Sequence, residues 1–488
     1  MTLRARLFAT ALAAIGLALP LQAQPAELSP DETRMLAIDL VNAGDYAGAV
    51  RVSQALLARD PADVGALIAL ARVADETGDA PRAASLAARA YAAAGTPAER
   101  FVAARIAARA NLQQDRFTRT QIWLRRARQF APDPQAAAAV AQDYAFTADL
   151  NPLTVQLDFG LRPSSNVNNG SLIDVEDANI PIVEGFVLSR DSQALSGLAY
   201  HLGGSVQYRI RETATSATVL QGSLDGTTYR LSGSARNDLE AAAREKDRAA
   251  RDFALDDKDF LSDEARAAAK RLRGISGSDY SYVELSGGIS HRFVLPQATL
   301  PTSLSFRIGR SWYGGSPYTR FLDVGVGQSF KLSDLSRLRL FAGAERSLID
   351  PPFDDINTLR AGGTYLRQLE NGDLVSLSLS GRRSLSANSE QTYDSLRVGV
   401  DYDLASPVAG LQFVAGAAVE RRHLEVSSFT GGPRTDTTLS LSLEAAITQV
   451  EFYGFRPVAE IEASRSRSNA VRFNRNALGF GIDLRSAF

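Results

Sequence analysis

The sequence predicts a helical-repeat solenoid followed by a 14-stranded antiparallel transmembrane β-barrel. Three observations predict it. A Gly-Asp turn in the Ala-rich first third returns after 34 residues, a two-residue period of apolar and polar side chains begins near Asn151, and the last amphipathic segment ends on the aromatic Phe488.

The first residues carry a compartment signal. Arg4 and Arg6 precede an apolar run over 7–19, and Leu21-Gln22-Ala23 offers a small-residue cleavage site. Residues 1–23 therefore read as a secretory signal peptide, with an apolar run too short to span a bilayer. No Cys follows it, so the mature chain cannot be acylated at its N-terminus. Losing the signal's two basic residues takes the formal net charge from −2 to −4. No later apolar stretch approaches the ~20 residues a transmembrane helix needs. The absence of Cys excludes disulfides and thiolate chemistry. The three histidines, His201, His291 and His423, are too scattered to suggest a His-built metal site. A near-neutral charge gives no reason to expect nucleic acid as a partner. No catalytic constellation and no cofactor motif stands out, so the expectation is a non-enzyme without a cofactor.

Residues 29–150 read as helices. Gly44-Asp45-Tyr46-Ala47 and Ala49 return as Gly78-Asp79-Ala80 and Ala83, 34 residues on. Pro61, Pro97 and Pro132 recur at a similar spacing and are expected to end the second helix of each unit. A third unit is degenerate, with Asp115-Arg116-Phe117 near the turn position and Trp123 and Phe130 on its second helix. The period resembles the tetratricopeptide repeat, whose stacked helix pairs form a curved solenoid that binds an extended peptide or docks a partner. The plain alternative is an Ala-rich spacer.

Residues 151–488 keep the period of a strand. Leu153, Val155, Leu157, Phe159 and Leu161 alternate with Thr154, Gln156, Asp158 and Gly160, and Leu396, Val398 and Val400 alternate with Arg397, Gly399 and Asp401. A soluble sandwich also alternates, but its strands are typically ~5–6 residues. Here the segments are longer, and their polar face mixes Arg and Asp with Gly and Ser, as a water-lined lumen does. The expected strands are 153–161, 193–211, 213–230, 279–294, 300–313, 318–332, 335–348, 355–369, 372–385, 390–404, 409–424, 435–447, 455–467 and 473–488. An even number suits a single-chain barrel with the repeats in the periplasm. Tight turns at Ser333-Asp334 and Glu370-Asn371-Gly372-Asp373 then fall on the periplasmic side, and the long connections 162–192 and 231–278 fall outside. The charged segment 239–273 reads as one or two solvated helices, with a lumenal plug or a recognition element as the functional alternative.

Two motif groups narrow the reading. Pro163-Ser164-Ser165-Asn166-Val167-Asn168 follows the first strand. Gly454-Phe455-Arg456-Pro457, Ser466, Ser468-Asn469 and Phe473-Asn474-Arg475-Asn476 lie near the end. Together with the helical repeats and the terminal Phe488, they resemble the surface lipoprotein assembly modulators, the Slam family, from the repeats to the last residue. The resemblance implies an outer-membrane translocon with a periplasmic repeat domain and a 14-stranded barrel. Its partner would be a surface-exposed lipoprotein or a secreted protein client, with periplasmic chaperones, the barrel-assembly machinery and outer-membrane lipid around it. Phe488 would be the assembly signal. Pro163, Ser165, Asn166, Asn168, Pro457, Asn469, Arg475 and Asn476 are the candidate client-binding or seam residues. Unpaired backbone is penalised in lipid, and polar side chains near the first and last strands could hold it if the barrel opens there. The plain alternative is that Asn and Ser clusters simply end strands.

An exopolysaccharide-export porin, which also joins repeats to a barrel, is the competing function. It should place aromatic platforms and paired carboxylates on inward positions, where this sequence is expected to carry mainly Ser, Gly, Arg and Asp. A passive porin has no need of a repeat domain.

Overall fold

Left-handed turns set the helical half. The computed structural model describes residues 28–172, 188–256, 258–296, 299–351 and 353–486, so the signal segment 1–23 and Phe488 lie outside it. Seven helices come first: α1 (Pro30–Asn42), α2 (Tyr46–Arg59), α3 (Val64–Glu76), α4 (Ala80–Ala93), α5 (Pro97–Leu112), α6 (Phe117–Gln129) and α7 (Pro134–Leu150). Gly44 and Gly78 both take φ +80° between paired helices, a conformation that costs glycine little. The Asp45 and Asp79 side chains then accept from the N–H groups of Gly48 and Arg82, capping α2 and α4. In the degenerate third unit Asp115 takes the left-handed turn at φ +54°, while Arg116 offers no side-chain cap to α6. The turn geometry survives and the cap does not.

Pro61 and Pro132 follow the ends of α2 and α6 as expected, whereas Pro97 opens a helix. Pro97 occupies the first turn of α5, and Pro30 and Pro134 do the same in α1 and α7. In a first turn the missing N–H has no partner to lose and the fixed φ is already helical. Pro61 and Pro132 lie in the turns before α3 and α7.

Helices α1–α5 fall in one compact unit that ends at Gln114, and α6 and α7 group with everything that follows. Within the first unit, alanines at the crossings (Ala37, Ala49 and Ala69, with no exposed surface) let the helices close on Val41 and Val73. Asp63 is buried at the start of α3, where it caps Ala66 N–H and receives Arg34 at 2.8 Å. Burial pushes its carboxyl up, but the Arg34 and Ala66 hydrogen bonds outweigh that and hold it below the usual carboxylate range.

The second unit is built on β1 (Leu153–Ser164), β2 (Gly197–Glu212) and β3 (Ser216–Leu231), then the helices α8 (Gly233–Leu255) and α9 (Asp259–Gly274). Strands β4 (Tyr282–Phe293), β5 (Thr302–Tyr313), β6 (Ser316–Lys331), β7 (Ser336–Ile349) and β8 (Ile356–Gln368) follow. The chain finishes on β9 (Leu374–Ser386), β10 (Tyr393–Asp403), β11 (Leu411–Ser427), β12 (Gly432–Ile447), β13 (Phe455–Ser468) and β14 (Arg475–Ser486). Each strand pairs antiparallel with the next, and β14 pairs with β1 to close the barrel. The 14 strands fall where the two-residue period places them, with two informative differences. β1 runs on to Ser164, so Pro163 sits inside the strand. β2 begins at Gly197, because the residues before it are bound into the preceding loop.

The outer surface is apolar. Leu157, Leu161, Ile308, Leu379, Leu443 and Ile482 are 41–53 % exposed on outward positions, which is a lipid-facing band rather than a surface for water. Strands of 11 to 17 residues reach or exceed the ~9–11 that cross a bilayer.

The turns at 332–335 and 369–373 lie at the end of the barrel that α7 enters, and the two long connections lie at the other end. That far end also carries the two-residue turn Gly314-Gly315, with φ +55° and +78°, so tight turns are not confined to one rim. Helices α8 and α9 form a hairpin tied by Arg273 to Asp247 at 2.5 Å and to Glu240 at 3.3 Å. Its apolar base, Ala235, Leu239 and Leu272, packs on Val167, Leu195 and Leu231 at the rim. Beside it, burial first and nearby Asp191 second push the Tyr280 phenol up to about 12, so it stays neutral.

Candidate functional site

The closing seam is the shortest ladder of the barrel among the described residues, and side chains supplement it. Among the described residues β1 and β14 pair at five positions, whereas β1 pairs with β2 at twelve and β13 with β14 at twelve. The ladder is interrupted at Arg162 and Pro163, and proline has no N–H to give. Arg162 bridges the gap from inside the lumen. Its Nη2 meets Asp483 on β14 and Glu460 on β13, both at 2.7 Å, and Nη1 lies 3.7 Å from Glu462. To reach β13 the side chain must cross β14, and Gly481 is where it does so: a Cβ there would stand 2.6 Å from Arg162 Cγ. Arg485 extends the cluster, 2.5 Å from Glu444 and 3.3 Å from Asp483. Across β1, His201 Nε2 meets Asp158 at 2.8 Å and Asp225 at 3.7 Å. Two more glycines make room, since a Cβ on Gly160 or Gly203 would stand 2.3 Å from the Asp483 or Asp158 carboxylate.

The cluster borders a polar cavity of about 770 Å³ whose lining includes Arg162, Asn166, His201, Asp401 and Glu462. No described residue of the α8–α9 hairpin lines it. Sequence reasoning did not single out Arg162, His201, Glu460, Asp483 or Arg485. Their phase was readable, since all fall on polar positions of the alternation, but their convergence depends on register between strands up to 321 residues apart.

Some of the motif residues do meet at the seam. Ser165 N–H donates to Leu478 O at 3.2 Å, while Leu478 N–H donates to the Ser165 hydroxyl at 3.0 Å, so one rung of the ladder is a side chain. Asn166 spans its own turn, accepting from Gly170 N–H at 2.7 Å and donating to Gly170 O at 2.9 Å, and its amide also reaches Asn476 O at 3.5 Å. Asn168 ties down the loop beyond, donating to Asp191 O and Gln193 O at 2.9 and 2.7 Å and accepting from Leu195 N–H at 2.9 Å. Asn168→Ala removes all three bonds and strands one buried N–H, a local loss of about 1–3 kcal/mol. The expected result is trypsin cleavage after Arg190 that is at least ~5-fold faster, with heat-modifiable migration of the barrel unchanged.

The others lie apart from the seam. Asn469 holds the neighbouring ladder, accepting from Thr435 N–H at 2.9 Å and donating to Pro433 O at 3.0 Å. Arg475 faces the lumen opposite Ser466 of β13. Pro457 pairs with Leu484 near the rim that α7 enters, at the opposite end of β13 from Asn469. Phe488 lies outside the described residues.

The Gly454-Phe455 segment meets α6. Gly454 takes φ +83°, and a Cβ there would stand 3.1 Å from the Arg125 side chain. Arg125 also donates to the Ser486 hydroxyl at 2.9 Å, at the end of the described part of β14. Beside it Tyr453 N–H donates to Gln129 at 2.8 Å, and Arg128 pairs with Glu451 at 2.9 Å. Helix α6 therefore grips both the β12–β13 turn and the last strand.

The inward face also corrects the sequence reading in one respect. Phe321 and Phe341 share lumenal positions with Gly309 and Gly327 through the register of β5, β6 and β7, and Glu444, Glu460 and Asp483 are close-set carboxylates. Both aromatics fall in short glycine-broken stretches where the apolar face is ambiguous, so only pairing assigns them.

No family model and no curated protein matches the chain. The barrel aligns with solved outer-membrane proteins. The loop L8 deletion mutant of OmpT from Vibrio cholerae is 11 % identical with a TM-score of 0.31, covering 69 % of this chain and 99 % of that one. A bacterial polysaccharide outer membrane secretin is 6 % identical with a TM-score of 0.33, covering 68 % and 98 %. OprD from Pseudomonas aeruginosa is 10 % identical with a TM-score of 0.31, covering 68 % and 94 %. Likeness at this level says nothing about what this chain moves.

Proposed function

We propose that the chain is an outer-membrane translocon that passes a lipoprotein or secreted protein client to the cell surface, with its helical repeats in the periplasm. The observation that carries the reading is the β1–β14 seam, where a short ladder is completed by the Arg162 clasp and the Ser165 rung. Side-chain closures can part and re-form without leaving as many backbone groups unpaired in lipid. Helix α6 adds a lever, because it holds the end of β14 and the turn before β13. Stacked helical repeats ahead of the barrel suit the capture of an extended client.

The second reading, export of a polysaccharide, is favoured by the lumenal Phe321 and Phe341 and by the close-set carboxylates. One experiment separates the two. Surface proteins and surface sugar are compared in cells with and without the chain. The expected result is loss of one or a few proteins from the surface with polysaccharide unchanged; unchanged surface proteins with lost polysaccharide reverses the assignment. In the same intact cells, added protease is expected to cut within 239–273 and to spare 45–83. Cleavage of the repeats instead would overturn the orientation.

A further inference from the structure

The lumen wall away from the seam carries arginines on successive strands: Arg360 on β8, Arg382 on β9, Arg397 on β10 and Arg422 on β11. Arg360 and Arg382 are direct cross-strand neighbours, a like-charge pairing that ordinarily destabilises a sheet. Arg360 is offset on one side by Asp323 at 2.5 Å, with Glu345 at 3.9 Å. Around the other three the acids, among the described residues, are Glu420, Asp436, which faces Arg422 across β11 and β12 but pairs with Arg434 at 3.2 Å, and Glu345 near Arg382. Glu420 lies 3.8 Å from both Arg397 and Arg422, and Arg382 hydrogen-bonds Tyr393 instead of an acid. Tyr393 also fixes the next arginine, since the Arg422 guanidinium sits 4.4 Å above its ring. A tyrosine that orients two guanidiniums lowers the cost of holding them for a third party. The four arginines, Phe341 and Glu420 line a cavity of about 220 Å³. A second cavity of about 170 Å³ continues from Arg422 and Glu420 to Arg475 and Asp436.

From this arrangement we propose that the lumen wall of β8–β11 is an oxyanion-binding site, taking phosphate or carboxylate groups on a passing solute. Planar guanidiniums bind such groups through paired N–H donors. An oxyanion between Arg382, Arg397 and Arg422 adds negative charge to a cavity lined by four guanidiniums and one carboxylate. The inference stands apart from the nature of any exported client, because it concerns a fixed wall of the lumen and not the seam.

The test uses the folded full chain in detergent, with inorganic pyrophosphate and citrate as separate probes at low salt. Saturable binding of at least one is expected, weakening as salt rises, and the tighter probe identifies the preferred group. Substituting Arg382→Gln, Arg397→Gln and Arg422→Gln together should weaken binding at least tenfold, with heat-modifiable migration confirming a folded barrel. Arg244→Gln on the exposed face of α8 should bind as the parent does. Single replacement of Arg397 by Gln, the mildest change, should give an intermediate loss if the triple variant fails to fold. Absence of saturable binding of both probes overturns the proposal, as does undiminished binding by the folded variants.

Discussion

Closing the seam covalently should abolish export. Ser164 of β1 and Gly479 of β14 are direct ladder partners. Antiparallel partners hold their Cα atoms about 4.5–5.5 Å apart, inside the span a disulfide accepts. The chain has no cysteine of its own, so Ser164→Cys with Gly479→Cys gives one crosslink and no competing pairs. With oxidation complete, the amount of client at the surface is expected to fall more than tenfold, and reductant is expected to restore it. Each single cysteine variant serves as a control and should export normally. Undiminished surface display through a fully crosslinked seam rules out lateral opening and leaves the lumen as the route.

The second large effect concerns the clasp. Arg162 is the only cation within salt-bridge distance of Glu460 and Asp483 on the β1 side of the seam, among the described residues. Glu460 and Asp483 are nearly buried, at 6 % and 5 % side-chain exposure, while Arg162 keeps 29 %. Removing one partner of a buried pair costs ~3–5 kcal/mol because a charge is left without its counterpart. Partial exposure of the arginine to a wet lumen places Arg162→Ala at the low side, about 2–3 kcal/mol. The measurement is the urea midpoint of the barrel in lipid vesicles, where the variant should unfold earlier. Adding Glu460→Gln and Asp483→Asn to Arg162→Ala should recover at least half of the loss, because the two carboxylates left with Arg485 alone, at 3.6 and 3.3 Å, are then gone. An unchanged midpoint for Arg162→Ala would mean that the backbone rungs alone close the barrel.

The repeats, the period and the strand count were all legible in the sequence, because each depends on residues close together along the chain. Gly44 and Gly78 mark their turns by composition, and a left-handed φ is what glycine permits most cheaply. Asp115 shows where composition runs out: it adopts the same conformation without advertising it. The motif residues were legible as a group, yet their separate duties were not. Ser165 and Asn166 face β14, Asn168 serves the loop, Asn469 serves β12, and Pro457 belongs to the opposite rim. All are turn or strand-end residues by type, and only the register distinguishes their neighbours.

By itself, then, the sequence determined the helical-to-strand switch at Asn151, the number and approximate span of the strands, and the inward phase of most strands, with Phe321 and Phe341 left to pairing. Those features follow from local propensity and a two-residue period, and they need no knowledge of which strand lies beside which. Tertiary structure alone decided that Arg162 crosses Gly481 to reach Glu460, that His201 meets Asp158, and that four arginines line up along β8–β11. It also decided that α6 grips the β12–β13 turn. These contacts join residues far apart in the chain, and closure fixes them through strand register, a relation between strands that no single strand carries.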